Sequence, residues 1–273
     1  MEGIKEIVSL ALKEDIGHGD ITGESIFPLN HRSNAVVKTK ENCIVCGKPV
    51  IEELKKIFKN VEFTVFKKDG EYAKKGEIIY SLSGSTVEIL KLERTLLNFV
   101  QRLSAISTVT HNFVKQLKGS RIKLLDTRKT TPGMRTLEKY AVKKGGGHNH
   151  RFGLYDGILI KENHIKAAGS IEKAVKLCRE NTHHLIKIEV EVENLEQLQE
   201  AIKAGADGVL LDNMSNDEIA KACQMKKQHS FFIEVSGGIT IERLKSLKIL
   251  DIDFISTGFI THSAGIIDMT MLI

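Results

Sequence analysis

The chain is 273 residues long, 41% hydrophobic and 27% charged, with three prolines; it can bury a sizeable core in one large or two modest domains, and it does not read as disordered. Forty Lys and Arg against 35 Asp and Glu is a mild excess, and with no Trp and four Tyr the chain lacks the basic stripe and stacking aromatics of a nucleic-acid binder. No apolar run approaches the roughly 18 residues of a spanning helix, and the opening MEGIKEIVSLALKEDIG carries acids inside its apolar stretch, unlike a secretory signal; a cytoplasmic protein is expected.

In chain order, a helix is predicted over residues 4–14, then a turn containing GHGDIT, where Gly and Asp shape the chain. Hairpin-like strands follow in NAVVKTKENCIVCG and VEFTVFKKDGEYAKKGEIIYSLSG, with a helix, VIEELKKIFKN, between them. These elements read as a separate α+β domain over residues 1–105. The pair Cys43 and Cys46 invites a redox reading. It lies in an apolar, strand-like run without a second CxxC for zinc, so two small core residues are expected instead. A long helical stretch over residues 88–118, containing LERTLLNFVQRLSAISTV, links this part to the next.

From about Arg121 onward short β-branched runs alternate with amphipathic helices. The runs are RIKLLDT, YDGILIK, LIKIEVEV, DGVLLDN, FFIEVSG and DFISTG; the helices are TLEKYAVKKG, SIEKAVKLCREN, NLEQLQEAIKAG, SNDEIAKACQMK and TIERLKSLKIL. Ser170, Asn194, Ser215 and Thr240 are predicted N-caps, and Gly145 and Gly205 predicted stops. Strands joined by helices pair in parallel, as an open doubly wound sheet or a (β/α) barrel. Thr127 with Arg128, then Lys161, Glu191, Asp212, Ser236 and Thr257 fall at successive strand ends, which is how a barrel gathers its active site. The expected fold is α/β: an incomplete (β/α) barrel over residues 106–259, six strands rather than eight, with the tail 260–273 able to pack back on the N-terminal domain.

Residues 126–164 hold eight Lys/Arg against four Asp/Glu, with a glycine triplet and three histidines. Positive charge threaded through turns, not along one helix face, reads as a pocket for a small multiply charged anion. Arg128, Lys129, His150, Arg151 and Lys161 combine guanidinium forks suited to carboxylates with ammonium groups suited to phosphate. Glu191 and Asp212, each after an apolar strand, suit Mg²⁺ or sugar hydroxyls. No zinc spacing occurs. The glycine turns VSGGIT and STGFIT, with Ser236, Gly237, Gly238, Thr257, Gly258 and Phe259, are candidate phosphate cradles after late strands.

TRKTTPGMR, GGGHNHRFGLYDGILIKENH, EVEVENLEQ, GVLLDNM, SGGIT and DFISTGFITHS, with LKEDIGHGDIT and ERTLLNFVQRLS nearer the N-terminus, resemble the quinolinate phosphoribosyltransferase family over nearly the whole chain. That resemblance implies an α/β sandwich-like N-terminal domain and an incomplete barrel, in dimers or assemblies of dimers. It implies a pentosyltransferase that joins quinolinate to 5-phosphoribosyl 1-pyrophosphate with Mg²⁺. The products would be nicotinate mononucleotide, pyrophosphate and CO₂, on the route to NAD. By motif, Arg128, His150, Arg151 and Lys161 should line the quinolinate site, Thr127 is a further substrate-binding candidate, and Arg94 should reach the site across a dimer interface. Lys129 and Lys161 should face the phosphoribosyl pyrophosphate, Glu191 and Asp212 its ribose and the metal, and the two glycine turns its 5-phosphate. Lys129, Lys161, Glu191 and Asp212 are then the catalytic candidates.

Three rivals stand beside this reading. A related phosphoribosyltransferase could act on another small base, such as nicotinate; several carboxylate-gripping cations favour a diacid. A non-catalytic barrel could sense a phosphorylated metabolite, but would not need Glu191 and Asp212 beside the phosphate turns. The CxxC redox protein would need an unusually reactive Cys43. His18 is given no role.

Overall fold

A computed structural model describes residues 3–28 and 30–273. In its first part the elements are α1 (Ile4–Ile16), α2 (Ile21–Ile26), β1 (Arg32–Thr39), β2 (Cys43–Ile44), α3 (Lys48–Ile57), β3 (Val61–Val65), β4 (Tyr72–Ala73), β5 (Ile78–Ser85) and α4 (Thr86–Gln116). There follow β6 (Lys123–Leu125), α5 (Arg135–Lys144), β7 (Ile158–Ile160), α6 (Glu162–Ala168), α7 (Ile171–Asn181), β8 (Ile188–Val192), α8 (Leu195–Lys203) and β9 (Gly208–Asp212). The chain closes with α9 (Asn216–Lys226), β10 (Phe232–Ser236), α10 (Ile241–Leu247), β11 (Phe254–Ser256), α11 (Phe259–His262) and β12 (Met269–Leu272). Two compact units result: one of Met1–Asn112, Lys129–Gly147 and Ile260–Ile273, the other of Phe113–Arg128 and His148–Phe259.

In the first unit an antiparallel sheet runs β12-β1-β5-β3. Alternation in β1 turns Ala35, Val37 and Thr39 inward, where they meet a core that includes Leu82 of β5 and Val50, Ile51 and Leu54 of α3. The expected pairing of β3 with β5 is present, Phe63 opposite Leu82. The first expected hairpin is not. Both edges of β1 are taken, by β5 and by β12, so β2 turns away and pairs with β4 instead. GHGDIT does more than turn the chain: Asp20 caps α2 by accepting the Gly23 amide at 3.0 Å. After α5 the left-handed residue is Gly146 (φ 90°), while Gly145 keeps right-handed helical angles. Cys43 and Cys46 are both fully buried.

Two fully buried charged residues lie on α5, Glu138 and Lys139. Glu138 Oε1 accepts from Arg102 Nε and Nη2, and its carboxylate also accepts from the Thr131 amide and hydroxyl. Arg102 goes on to the carbonyls of Thr261 and Gly265. One ion pair thus ties α4, α5, the 129–134 loop and the C-terminal segment together, and its donors and acceptors are satisfied.

The second unit is the barrel. Its six-stranded parallel sheet runs β6-β11-β10-β9-β8-β7, so the unit's last strand, β11, pairs with its first, β6. It stops short of closure between β6 and β7, where a single parallel bridge joins Leu125 to His148. Strand interiors are buried on both faces, as parallel strands covered on both sides should be, and are apolar apart from Glu189 in β8 and Glu234 in β10. Ser170, Asn194, Ser215 and Thr240 each accept the amide three residues on. Gly205 closes α8 with a φ of 79°. None of the described helices is long and apolar enough to cross a membrane.

Candidate active site

Because all six barrel strands run the same way, their C-terminal ends share one rim. Asp212 and Ser236 end β9 and β10, Glu191 is penultimate in β8, and Lys161 and Thr257 follow β7 and β11 directly. Thr127 and Arg128 lie just past β6. The barrel unit therefore gathers all of these on one rim, as their positions in the sequence implied.

The link from β6 to β7 builds the cationic side. Asp126, fully buried at the end of β6, accepts the His150 amide on Oδ1 at 2.9 Å and the Asn149 side-chain amide on Oδ2 at 2.6 Å. The His148 amide donates to the Leu124 carbonyl, which zips this segment along the free edge of β6. Arg151 then reaches the Gly157 carbonyl through Nη1 at 2.9 Å, while its Nε is buried with no partner among the described residues. Burial first, and the neighbouring Arg128 guanidinium second, pull Arg151 below its ordinary proton affinity; Glu189 and Glu191 pull the other way. Two guanidiniums that repel each other beside an unpaired buried N–H are the signature of an anion site.

Beneath them lies a group that the strand-end reading missed. His150 Nε2 sits 3.3 Å from Glu189 Oε2 and 3.6 Å from Glu234 Oε2. Both acids are at least nine-tenths buried, and each keeps one oxygen with no partner among the described residues. Burial, then repulsion from Glu189, pushes the Glu234 carboxyl up to about 8, with His150 opposing. The signal was present in the sequence: Glu189 stands two before Glu191 and Glu234 two before Ser236, so each shares the inward face of its strand with a rim residue.

Lys161 Nζ pairs with Glu191 Oε2 at 2.5 Å, and Asp212 accepts from the Asn213 side chain at 2.9 Å. Among the described residues the group of three potential metal ligands is His150, Glu189 and Glu234, not Glu191 and Asp212. Two oxygen donors at an open rim still fit Mg²⁺, which keeps waters and takes substrate phosphates as its remaining ligands.

After β10, Gly237 and Gly238 both have positive φ, and a Cβ on Gly237 would lie 2.2 Å from Asn213 Oδ1. Asn213 is itself left-handed, and Arg243 holds the carbonyls of Gly237 and Met214 at 2.6 Å each. Only glycine fits this turn. After β11, Thr257 Oγ1 accepts the Phe259 amide, Gly258 is buried, and the Phe259 ring stacks on Phe113.

The other two expected site residues belong to the first unit. Arg94 is exposed on α4, at a depression of about 250 Å³ shared with Glu14, Asp15, Asn98 and Arg102. Lys129 is exposed, and its carbonyl accepts from Thr261 Oγ1 at 2.7 Å.

An incomplete barrel with guanidiniums, acids and glycine turns on one rim defines an enzyme class that handles small polyanions. The chain belongs to the quinolinate phosphoribosyltransferase family: the family's N-terminal domain matches residues 20–104 and its C-terminal domain residues 106–272. It is 45% identical to a probable nicotinate-nucleotide pyrophosphorylase (carboxylating) of Bacillus subtilis, covering 98% of this chain and 92% of the relative. To the protein of the same description from Synechocystis it is 38% identical, covering 96% and 90%. A solved nicotinate-nucleotide pyrophosphorylase from Francisella tularensis superposes with a TM-score of 0.93 at 40% identity, covering 99% of this chain and 95% of that one.

Proposed function

We propose that this chain transfers phosphoribosyl from 5-phosphoribosyl 1-pyrophosphate to quinolinate with loss of CO₂, giving nicotinate mononucleotide and pyrophosphate for NAD synthesis. The observation that carries the acceptor is the buried Arg151 Nε, without a partner among the described residues, in a guanidinium that feels the charge of Arg128; two such cations suit a ligand with two carboxylates. Thr127, His150 and Lys161 complete the acceptor wall, with Arg94 reaching it from a second copy of the chain in a homodimer. Lys129 and Lys161 face the phosphoribosyl pyrophosphate. The turns Ser236 to Gly238 and Thr257 to Phe259 take the 5-phosphate, and Glu191 and Asp212 the ribose hydroxyls.

Mg²⁺, carried in on the pyrophosphate and held by Glu191 and Asp212, would neutralise charge on the leaving group. As the bond from the ribose C1 to the pyrophosphate oxygen breaks, the two acids stabilise the oxocarbenium character left on the sugar. The pyridine nitrogen then bonds to C1. The quaternised ring is an electron sink, so the adjacent carboxylate leaves as CO₂ and a proton replaces it. No covalent enzyme intermediate is needed.

Quinolinate or nicotinate is mixed with the protein, Mg²⁺ and phosphoribosyl pyrophosphate, and CO₂ and pyrophosphate are followed. Release of both with quinolinate supports the reading; pyrophosphate release with nicotinate alone points to the other base, and release with neither to a sensor. Arg128→Ala should weaken quinolinate binding by about 10- to 100-fold, the cost of removing a hydrogen bond to a charged group, whereas the control Lys227→Ala should not. Equal effects would refute the carboxylate clamp.

A further inference from the structure

Arg151 owes its position to main chain, and that main chain rests on His150. The Arg151 amide points at His150 Nδ1, 2.7 Å away. An amide N–H can only donate, so Nδ1 is the bare, accepting nitrogen and the ring proton is on Nε2. Nε2 faces Glu189 and Glu234 at 3.3 and 3.6 Å. Both ring nitrogens are therefore engaged inside the protein, one upward to Arg151 and one downward to the buried acids.

The same geometry argues against a cation in this cluster. Ligation through Nε2 would move the ring proton to Nδ1, where it would oppose the Arg151 N–H, donor against donor. The three side chains have the spacing of a metal site but the wrong tautomer for one.

We propose that Glu189 and Glu234 are positioning residues of the acceptor pocket: the carboxyl oxygens that they set before His150 Nε2 keep the ring proton there, which fixes the tautomer whose Nδ1 accepts the Arg151 amide and thereby aims the Arg151 guanidinium at a substrate carboxylate. His150 then contributes through Arg151, not by gripping the ligand. This rests on the acceptor reading given above. Asp126, which holds the His150 amide from the opposite side, braces the same peptide.

The test uses the full-length protein and two readouts. In the first, ring-¹⁵N histidine labelling reports the His150 tautomer without turnover, with His150→Gln used to assign the signal. A single Nε2–H tautomer is expected, replaced by a mixture in Glu189→Leu/Glu234→Leu, a pair of substitutions that removes the acceptors but keeps the volume. In the second, that double variant should raise the quinolinate KM about 10- to 100-fold, as displaced catalytic geometry does, with the phosphoribosyl pyrophosphate KM within about threefold. Glu189→Gln/Glu234→Gln keeps carbonyl acceptors and should restore the quinolinate KM to within about threefold of the parent.

His150→Asn, whose amide oxygen can replace Nδ1 toward Arg151, should bind quinolinate more tightly than His150→Gln, which replaces Nε2 instead. An Nδ1–H tautomer, equal rises in both KM values, the reverse order of the two His150 variants, or stoichiometric Mn²⁺ or Zn²⁺ binding lost in the Leu variant would each overturn the proposal. A parent enzyme that releases no CO₂ from quinolinate, yet shows the expected tautomers, would defeat the activity and leave the positioning network standing.

Discussion

Glu234 should make the barrel less stable as pH rises across the neutral range. An exposed chain ionises this carboxyl at 4.5, whereas in the fold burial and Glu189 hold it protonated up to about 8. Between those values the native state binds a proton that the unfolded state has lost, so stability falls with pH, by about 1.4 kcal/mol for each unit. The contribution is complete below 4.5 and gone above about 8, with a ceiling of about 5 kcal/mol over the interval. From pH 5 to pH 7 the loss is about 3 kcal/mol, or about 5 °C in Tm for a chain of this size. Glu234→Gln has no proton to lose. Urea denaturation of both proteins at half-unit pH steps gives the curve for parent minus variant, in which titrations of groups remote from Glu234 cancel. That difference should decline by about 3 kcal/mol between pH 5 and 7 and level off above 8. A flat difference, or one that rises with pH, would refute the account of a carboxyl kept neutral by burial.

Glu138→Ala should destabilise the first unit by about 3 kcal/mol or more, because it strands the Arg102 guanidinium and two Thr131 donors; a chemical melt within about 1 kcal/mol of the parent would show that the pair is dispensable. Gly237→Ala forces a Cβ against Asn213 and should raise the KM for phosphoribosyl pyrophosphate at least about tenfold while leaving that for quinolinate nearly unchanged. The opposite split would remove this turn from the phosphate site. Burial raises the thiol proton affinity of all four cysteines, so a thiol reagent at neutral pH should label only the half-exposed Cys178 quickly. Rapid labelling of Cys43 would revive the redox reading.

The barrel was readable because its signals are local. An N-cap is a hydrogen bond across three residues, and Ser170, Asn194, Ser215 and Thr240 each make theirs. The six strand ends could likewise be found by counting along one segment at a time. The pairing of β1 was not readable, since it depends on β12, more than 200 residues away, having taken the edge that β2 would need. Glu189 and Glu234 show a different limit. Alternation states which face a side chain uses, but depth along the barrel axis, and with it the choice between a solvated rim acid and a buried one, comes only from how neighbouring strands are staggered.

The charge arrangement bears on which acids this pocket can hold. The Arg128 guanidinium repels that of the part-buried Arg151, and Glu189 and Glu191 pull Arg151 the other way. Yet each acid is already engaged, Glu191 by Lys161 and Glu189 by His150. Arg151 Nε remains buried and unpaired among the described residues. A carboxylate supplies the acceptors such a fork lacks, and a dicarboxylate can supply both guanidiniums at once. A monoacid would offset the repulsion between them only in part. A site built to pair a charged group rejects an analogue lacking that group far more strongly than an apolar pocket rejects one of the wrong size. On the proposed assignment, selectivity for a diacid would be set by the balance of cations and buried carboxylates, and the shape of the pocket would have only to keep the second carboxylate within reach.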